Sequence, residues 1–400
     1  MKRDNEYKEM TDRIIKAIDL FAGAGGLSYG FEAKGYDIVL ALEKDSWAIE
    51  TYKANHRNLN CVEADITQIP DDFFVEYQEK VDVVMGGPPC QGFSIAASNR
   101  RKEGDERNFL YKEFLRVVSI VKPKVVLLEN VKEFGKYYLP DGRLLVDDVV
   151  STLDGYGYQC SYSVVDVKDY GIPQDRRRFF LIGVKDKTQE IDLVTMLKAY
   201  HSKAYNLGDA ISDLPVVMPY QYKEGDVMSY TQDPQNDFQR LMRGNSTLVN
   251  NHIPMQHTPK TVEKFRFLLN NGSMDDLPDN LRSVVRGDTT RISDSKFSQN
   301  HRVMDAAKIA PTITASFYSS FIHPSQPRNL TVREAARIQT FPDIFVFHGK
   351  RTTLSKKLLS RKGIVEDLHL DQFNQVGNAV PPMMASIMAD ICKKLLEGMK

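Results

Sequence analysis

Residues 15–35 read IKAIDLFAGAGGLSYGFEAKG. The run from Ile15 to Phe21 is apolar and short, which predicts a strand. Residues 22–26, AGAGG, are a glycine turn, and Leu27 to Gly35 carry apolar side chains at helical spacing and stop on a glycine. Strand, glycine turn and helix open a doubly wound α/β sheet, in which ligands bind beyond the carboxyl ends of parallel strands. A GxGxxG fingerprint counted from Gly23 needs glycine at position 28, where Ser28 stands, and this weakens a nicotinamide reading.

Working outward, YDIVLALE predicts a second strand ending on Glu43, twenty residues beyond Gly23. A carboxylate at that separation suits a ribose diol; alone it would read as a solvated charge at a strand end. The helix DSWAIETYKANH follows, then a third strand, LNCVEAD, closing on Asp65. Two strands ending in acids beside a glycine turn point to a ligand with hydroxyl and amino groups, such as adenosine. No Walker lysine accompanies them, so a triphosphate fits less well.

A fourth strand, VDVVM, runs into Gly86–Ser94, GGPPCQGFS. Prolines fix φ and glycines admit close approach, so Cys90 is presented on a stiff loop at a strand end rather than packed as a small hydrophobe. The helix FLYKEFLRVVSIV and the strand PKVVLLENV come next and place Glu129 and Asn130 at another strand end. Desolvation there raises a carboxyl towards neutrality and makes it a usable acid; a helix-cap role reads equally well. Residues 156–184 predict an antiparallel hairpin, with QDRRRF (174–179) between its strands. Alternation sends Arg176 and Arg178 to one face, either a solvated turn or the catalytic side.

The 400 residues carry 53 Lys plus Arg and 53 Asp plus Glu, so any basic surface is local, and the length predicts two domains or one with a large insertion. Cys61, Cys90, Cys160 and Cys392 are scattered, which argues against zinc and against a disulfide framework, and no metal ligand set is expected. The amino-terminal stretch has no apolar core and no run approaches bilayer length. A cytoplasmic, nucleoid-associated protein without membrane contact is expected.

Taken together and in order, DLFAGAGG, GGPPCQGFS, ENV, QDRRR, RNLTVREAARIQTFPD and QVGNAVPP resemble the motif set of the cytosine-C5 DNA methyltransferases, which use S-adenosylmethionine. The resemblance spans most of the chain and is weakest from about 187 to 300. It implies Cys90 as the nucleophile towards cytosine C6 and Glu129 as the acid at ring N3, with Arg178 and Arg176 beside the base or the catalytic loop. For the cofactor it implies Phe21, Gly23 and Gly25 at the methionine turn, Glu43 at the ribose, Asp65 at the adenine amine, and Pro89 and Asn378 near the sulfonium and methionine tail. Lys44 stands where an aromatic that packs on adenine is common in the family, with Trp47 a helix turn away.

The fold expected is α/β: a doubly wound, mostly parallel sheet of the class I methyltransferase, Rossmann-like kind, with a smaller inserted target-recognition domain. Residues 1–187 and 372–400 form the catalytic part, and 188–371 form the recognition part, including a hinge motif at 328–343 and a basic insertion at 349–362. Thr331 and Glu334 make a capping box for a helix stopped by Pro342, whose arginines are expected to hold the recognition region to the catalytic domain. The insertion GKRTTLSKKLLSRK reads either as a DNA-backbone arm or as a solvated helix or loop. Double-stranded DNA is the expected partner, met as a monomer, with a cognate restriction endonuclease acting separately. An RNA cytosine-C5 methyltransferase and a catalytically idle DNA-binding regulator are the alternatives.

Overall fold

The computed structural model describes residues 13–57, 60–89, 110–185, 190–223, 225–271, 273–285, 288–292, 301–354 and 356–399. Two compact units emerge: Met1–Tyr170, Arg176–Lys203 and Ala379–Lys400 form the first, and Gly171–Asp175 and Ala204–Asn378 the second. The chain visits the second unit briefly at Gly171–Asp175 and then changes units at 203/204 and 378/379, where the sequence places the boundaries at 187/188 and 371/372. Local bonds account for these positions. The helix Leu193–Lys198 stays with the sheet through Leu193 N, which donates to Ser161 Oγ at 3.1 Å. Gln174–Asp175 instead pairs in parallel with Ala310–Pro311.

The first unit is built on seven strands: β1 Lys16–Leu20, β2 Asp37–Glu43, β3 Cys61–Glu63, β4 Val83–Gly86, β5 Val125–Val131, β6 Gln159–Asp166 and β7 Arg177–Val184. Their order is β3-β2-β1-β4-β5-β7-β6, parallel from β3 to β5, with β7 antiparallel to both β5 and β6. The reversal of strand order beside β1 is the switch point at which such sheets bind ligands. Parallel strands covered on both faces read as continuous apolar runs, and β4 and most of β5 are fully buried for that reason.

Alternation sorts the faces. Ile18, Leu20, Leu40, Leu42, Val84, Val126 and Leu128 pack into one core with Phe114, Val117, Val118 and Val121 of the helix Leu110–Val121 and Val149 and Leu153 of Leu145–Gly155. Each such side chain stabilises by about 1.5–3 kcal/mol on burial. Asp19, between Ile18 and Leu20, points to the opposite face. The carboxy-terminal helix Pro382–Gly398 joins this unit: Tyr36 donates its hydroxyl to Ala389 O at 2.8 Å, and Ser386 Oγ donates to Gly30 O at 3.1 Å.

Among its described residues the second unit has short paired strands, and it is organised around buried arginines. Arg328, Arg333 and Arg337 are each 0% exposed. The helix Val332–Ile338 begins with the expected capping box: Thr331 Oγ1 accepts from Glu334 N, and Glu334 Oε2 accepts from Thr331 N. It ends four residues before Pro342. Thr340 turns into the left-handed region at φ 64°, and Phe341 N donates to Ala336 O at 2.8 Å.

The role expected for its arginines is corrected by their partners. Arg328 forks onto Glu334 at 2.8 and 2.6 Å; Arg333 donates to Asn250 O and Pro342 O; Arg337 donates to Asp213 and Asp343. All of these bonds run inside the second unit, so the cluster is its own polar core. Among the described residues no helix is long and apolar enough to cross a membrane.

Candidate active site

The site residues of the first unit gather at the carboxyl ends of β1, β2, β3, β4 and β5. After β1 the chain enters the left-handed region at Phe21 (φ 62°), Gly23 (φ 55°) and Gly25 (φ 91°). A non-glycine residue there is strained, and such strain collects at functional sites. Gly25 has a second reason to lack a side chain, because a Cβ would lie 2.1 Å from the His56 imidazole. The turn is thereby seated on the helix Ser46–Asn55 and the residue that follows it.

At the end of β2, Glu43 receives three backbone N–H groups. Gly23 N donates to Oε2 at 2.9 Å, and Lys44 N and Asp45 N donate to Oε1 at 2.8 and 2.9 Å. Burial raises its carboxyl above the ordinary value and these amides oppose the rise. A carboxylate has about four acceptor positions. Three are used, and the one remaining, on Oε2, is available to a hydroxyl.

Asp65 lies two residues beyond β3, as the cap of a single 3₁₀ turn rather than at the strand end itself. Its Oδ1 accepts from Thr67 N at 3.0 Å and Thr67 Oγ1 at 2.8 Å, and its Oδ2 lies 3.7 Å from Lys44 Nζ. The Lys44–Asp65 pair is something the sequence does not disclose: its members are 21 positions apart and meet because β2 and β3 are adjacent and parallel. Trp47 is half-buried in the first turn of its helix.

Beyond β4 the description reaches Pro88 and Pro89, and Cys90 and the residues to 109 lie outside the described residues. The base of that loop is held from β5. Asn130 Nδ2 donates to Pro88 O at 2.9 Å and Asn130 Oδ1 accepts from Val131 N at 2.9 Å. Glu129 is 8% exposed, and a Cβ on Gly87 would stand 3.0 Å from its Oε2, so the glycine lets the loop base pass directly over the acid.

Arginines enter from β7, the strand paired with β5. Arg178 Nε lies 3.2 Å from Glu129 Oε1, while Arg177, pointing the other way, reaches Asp166 at 3.2 Å. Arg176 is 1% exposed and donates from Nη2 to Ala379 O at 3.0 Å. The alternation read from QDRRRF is thus realised, with Arg176 and Arg178 both acting on Glu129. Burial pushes the Glu129 carboxyl up, and Arg178 and then Arg176 oppose it. Arg176 is tied to a backbone carbonyl of the segment after QVGN, a holding arrangement. Asn378 ends the helix Gln372–Asn378, is exposed, and belongs to the second unit.

Missed from the sequence is a buried polar set under the glycine turn: Asp19, Ser28, Tyr52, His56 and Glu32. An acid inside the apolar run KAIDLF was its one visible signal.

The family described as C-5 cytosine-specific DNA methylase matches residues 15–394. The type II methyltransferase M.DdeI of Desulfomicrobium norvegicum is 40% identical over 380 residues, covering 94% of this chain and 88% of that protein. The type II methyltransferase M1.HphI of Haemophilus parahaemolyticus is 33% identical over 381 residues, covering 94% and 86%. Among solved structures, a protein described as a DNA modification methyltransferase encoded within a prophage (E. coli) superposes with a TM-score of 0.70 at 26% identity, covering 96% of this chain and 99% of that one. S. pombe Dnmt2 methyltransferase, at 16% identity and a TM-score of 0.57 over 96% and 99%, shares the fold.

Proposed function

Because the chain belongs to the C-5 cytosine-specific DNA methylase family, we propose that it methylates C5 of a cytosine within a specific duplex DNA sequence, as the modification enzyme of a type II restriction-modification system. The observation that carries the reading is Glu129: a buried acid of raised pKa, paired to Arg178 and placed under the first residues of the loop that bears Cys90.

S-adenosylmethionine, when bound, supplies an electrophilic methyl group. The residues present fit it: a strained glycine turn at the end of β1, one acceptor position on Glu43 left open among the described residues, and Asp65 Oδ2 facing a lysine at 3.7 Å. Phe21, Gly23 and Gly25 would hold the methionine part, Glu43 the ribose and Asp65 the adenine amine, with Lys44 beside it and Pro89 and Asn378 at the motif positions for the sulfonium and the tail.

The Cys90 thiolate attacks C6, forming an S–C6 bond, while Glu129 gives its proton to N3 so that no anion accumulates on the ring. C5 is then nucleophilic and takes the methyl group, whose bond to sulfur breaks to leave a neutral thioether. Loss of the C5 proton to solvent water re-forms the C5–C6 double bond as the S–C6 bond breaks, the cysteine leaves as a thiolate, a competent leaving group, and Glu129 recovers its proton from N3. Arg178 keeps the acid oriented and offsets charge at the base edge. The ring atoms are out of reach inside a duplex, so the cytosine is flipped into the site at a cost of a few kcal/mol.

The second unit is assigned to target recognition. In the basic stretch, Lys350 is already paired with Asp367 at 2.5 Å, while Arg361 and Lys362 at the end of the helix Lys356–Lys362 are exposed and are assigned to phosphate binding. Neutralising both lowers the slope of log K against log salt by about 0.9 for each phosphate that then keeps its counterion, and an unchanged slope removes the arm.

Duplex DNA carrying 5-fluorocytosine tests the chemistry, since fluorine at C5 blocks the final elimination. Wild type should stay covalently attached under denaturing conditions and Cys90→Ser should not. Transfer of labelled methyl to tRNA but not DNA would favour the RNA alternative; no transfer to either would favour the idle regulator.

A further inference from the structure

Beneath the glycine turn runs a polar chain that the proposed chemistry leaves unused. Asp19 is 0% exposed. Its Oδ2 accepts from Ser28 Oγ at 2.6 Å, and Ser28 Oγ accepts from the Tyr52 hydroxyl at 2.9 Å. The Tyr52 ring stacks on His56 with centroids 3.9 Å apart, and His56 Nδ1 lies 2.8 Å from Glu32 Oε2. Among the described residues Asp19 Oδ1, equally buried, has no hydrogen-bond partner. An orphaned acceptor of that kind requires an explanation.

The charged groups that act on Asp19 are Glu43 at the end of β2 and Glu32 on the helix Gly26–Glu32; Tyr52 faces it from the helix Ser46–Asn55 and Cys61 from β3. Burial pushes the Asp19 carboxyl up to about 7, the Ser28 bonds oppose this, and the two glutamates add to it. The free protein thus holds a buried acid that exchanges its proton near neutrality, with the Glu43 and Glu32 carboxyls adding to its rise. Ser28 stands in the first turn of the helix that the glycine turn opens, so its bond to Asp19 ties the turn to β1.

We propose that Asp19 is a positioning residue of the cofactor turn which releases its proton when the cationic methyl donor binds and regains it when methyl transfer leaves a neutral thioether, so that the site favours cofactor over product. This rests on the methyltransferase reading above. S-adenosylmethionine carries a sulfonium charge that S-adenosylhomocysteine lacks, and a buried carboxyl with an open acceptor ionises more readily once that charge arrives. The proton passes to solvent on binding, and Asp19 acts through the field and through Ser28.

Calorimetric titration of the full chain with each ligand, in two buffers of different ionisation heat, measures the protons exchanged. Near pH 7 wild type should release about half a proton per S-adenosylmethionine bound, with Kd tightening roughly tenfold from pH 6 to pH 8. S-adenosylhomocysteine should show less than about a twofold change. Asp19→Asn should bind both ligands without pH dependence. Ser28→Ala, which removes the donor to Oδ2, should move the linkage midpoint to higher pH, and it decides the matter if Asp19→Asn fails to fold. Failure of wild type to bind S-adenosylmethionine would overturn the methyltransferase reading and this inference with it. Binding with equal proton release in wild type and Asp19→Asn, or an unmoved midpoint in Ser28→Ala, overturns the inference alone.

Discussion

Four of the buried carboxyls, two from each unit, meet opposite consequences. Asp19 and Glu129 in the first unit are raised above the ordinary carboxylate range by burial. Glu334 and Asp343 in the second are as deeply buried, at 1% and 0% exposure, and are lowered. Burial works in the same direction on all four, so the partners decide. Glu334 takes a two-pronged Arg328 fork and a backbone N–H, and Asp343 takes Arg337 on both oxygens together with the Tyr230 hydroxyl. Glu129 has one ion pair, at 3.2 Å, and Asp19 is met by Ser28 on one oxygen. Complete pairing locks an acid into its charged form as structure; incomplete pairing leaves it able to exchange a proton.

The largest effect that can break this contrast is on catalysis. Glu129→Gln keeps the shape but cannot deliver a proton to N3, so kcat in a labelled-methyl assay should fall about 10²–10⁴-fold. Near-normal turnover would place Glu129 among the structural acids. Next comes Arg337→Met, which leaves Asp213 and Asp343 buried without their common cation; urea unfolding should show a loss of about 3–5 kcal/mol. A loss below about 1 kcal/mol would mean that water reaches the cluster.

Glu334→Gln sharpens the comparison through pH. Burial alone would raise Glu334, but Arg328 overrides it and holds the carboxyl well below its ordinary range. A lowered acid contributes stability above its unfolded pKa of about 4.3 and loses that contribution as pH falls towards its folded value. The gap between wild type and variant should therefore be about 2–3 kcal/mol from pH 6 to 8 and shrink below about pH 4. A pH-independent gap would assign the loss to packing. The smallest effect is expected at Lys44. Its pair with Asp65 is more than a third exposed on both sides, so Lys44→Ala should shift cofactor Kd by no more than about 1 kcal/mol. A larger shift would show the lysine touching adenine.

Much of the first unit was legible because its signals are local. Strand, glycine turn and helix at residues 15–35, the acid closing β2, the hairpin alternation at 174–179 and the Thr331–Glu334 cap each depend on spacing within a few residues. The end of the helix at Ile338 was missed because Thr340 supplies the left-handed turn before Pro342 is reached. The destination of Arg328, Arg333 and Arg337 was missed because their acceptors include Asp213 and Asn250, far off in the chain.

From its sequence alone this protein's class could be read. The order of elements, the acids at strand ends and the motif series around Cys90, Glu129 and Arg178 are properties of short segments, and short segments obey local geometry. Only the tertiary structure decided the state of those groups. It set Gly87 over Glu129, gave Arg176 to Ala379 O, spent three of the Glu43 acceptor positions and left Asp19 Oδ1 with none. A carboxyl's charge depends on every dipole and cation packed around it, and that neighbourhood is assembled from chain segments whose separation in sequence says nothing of their distance in space.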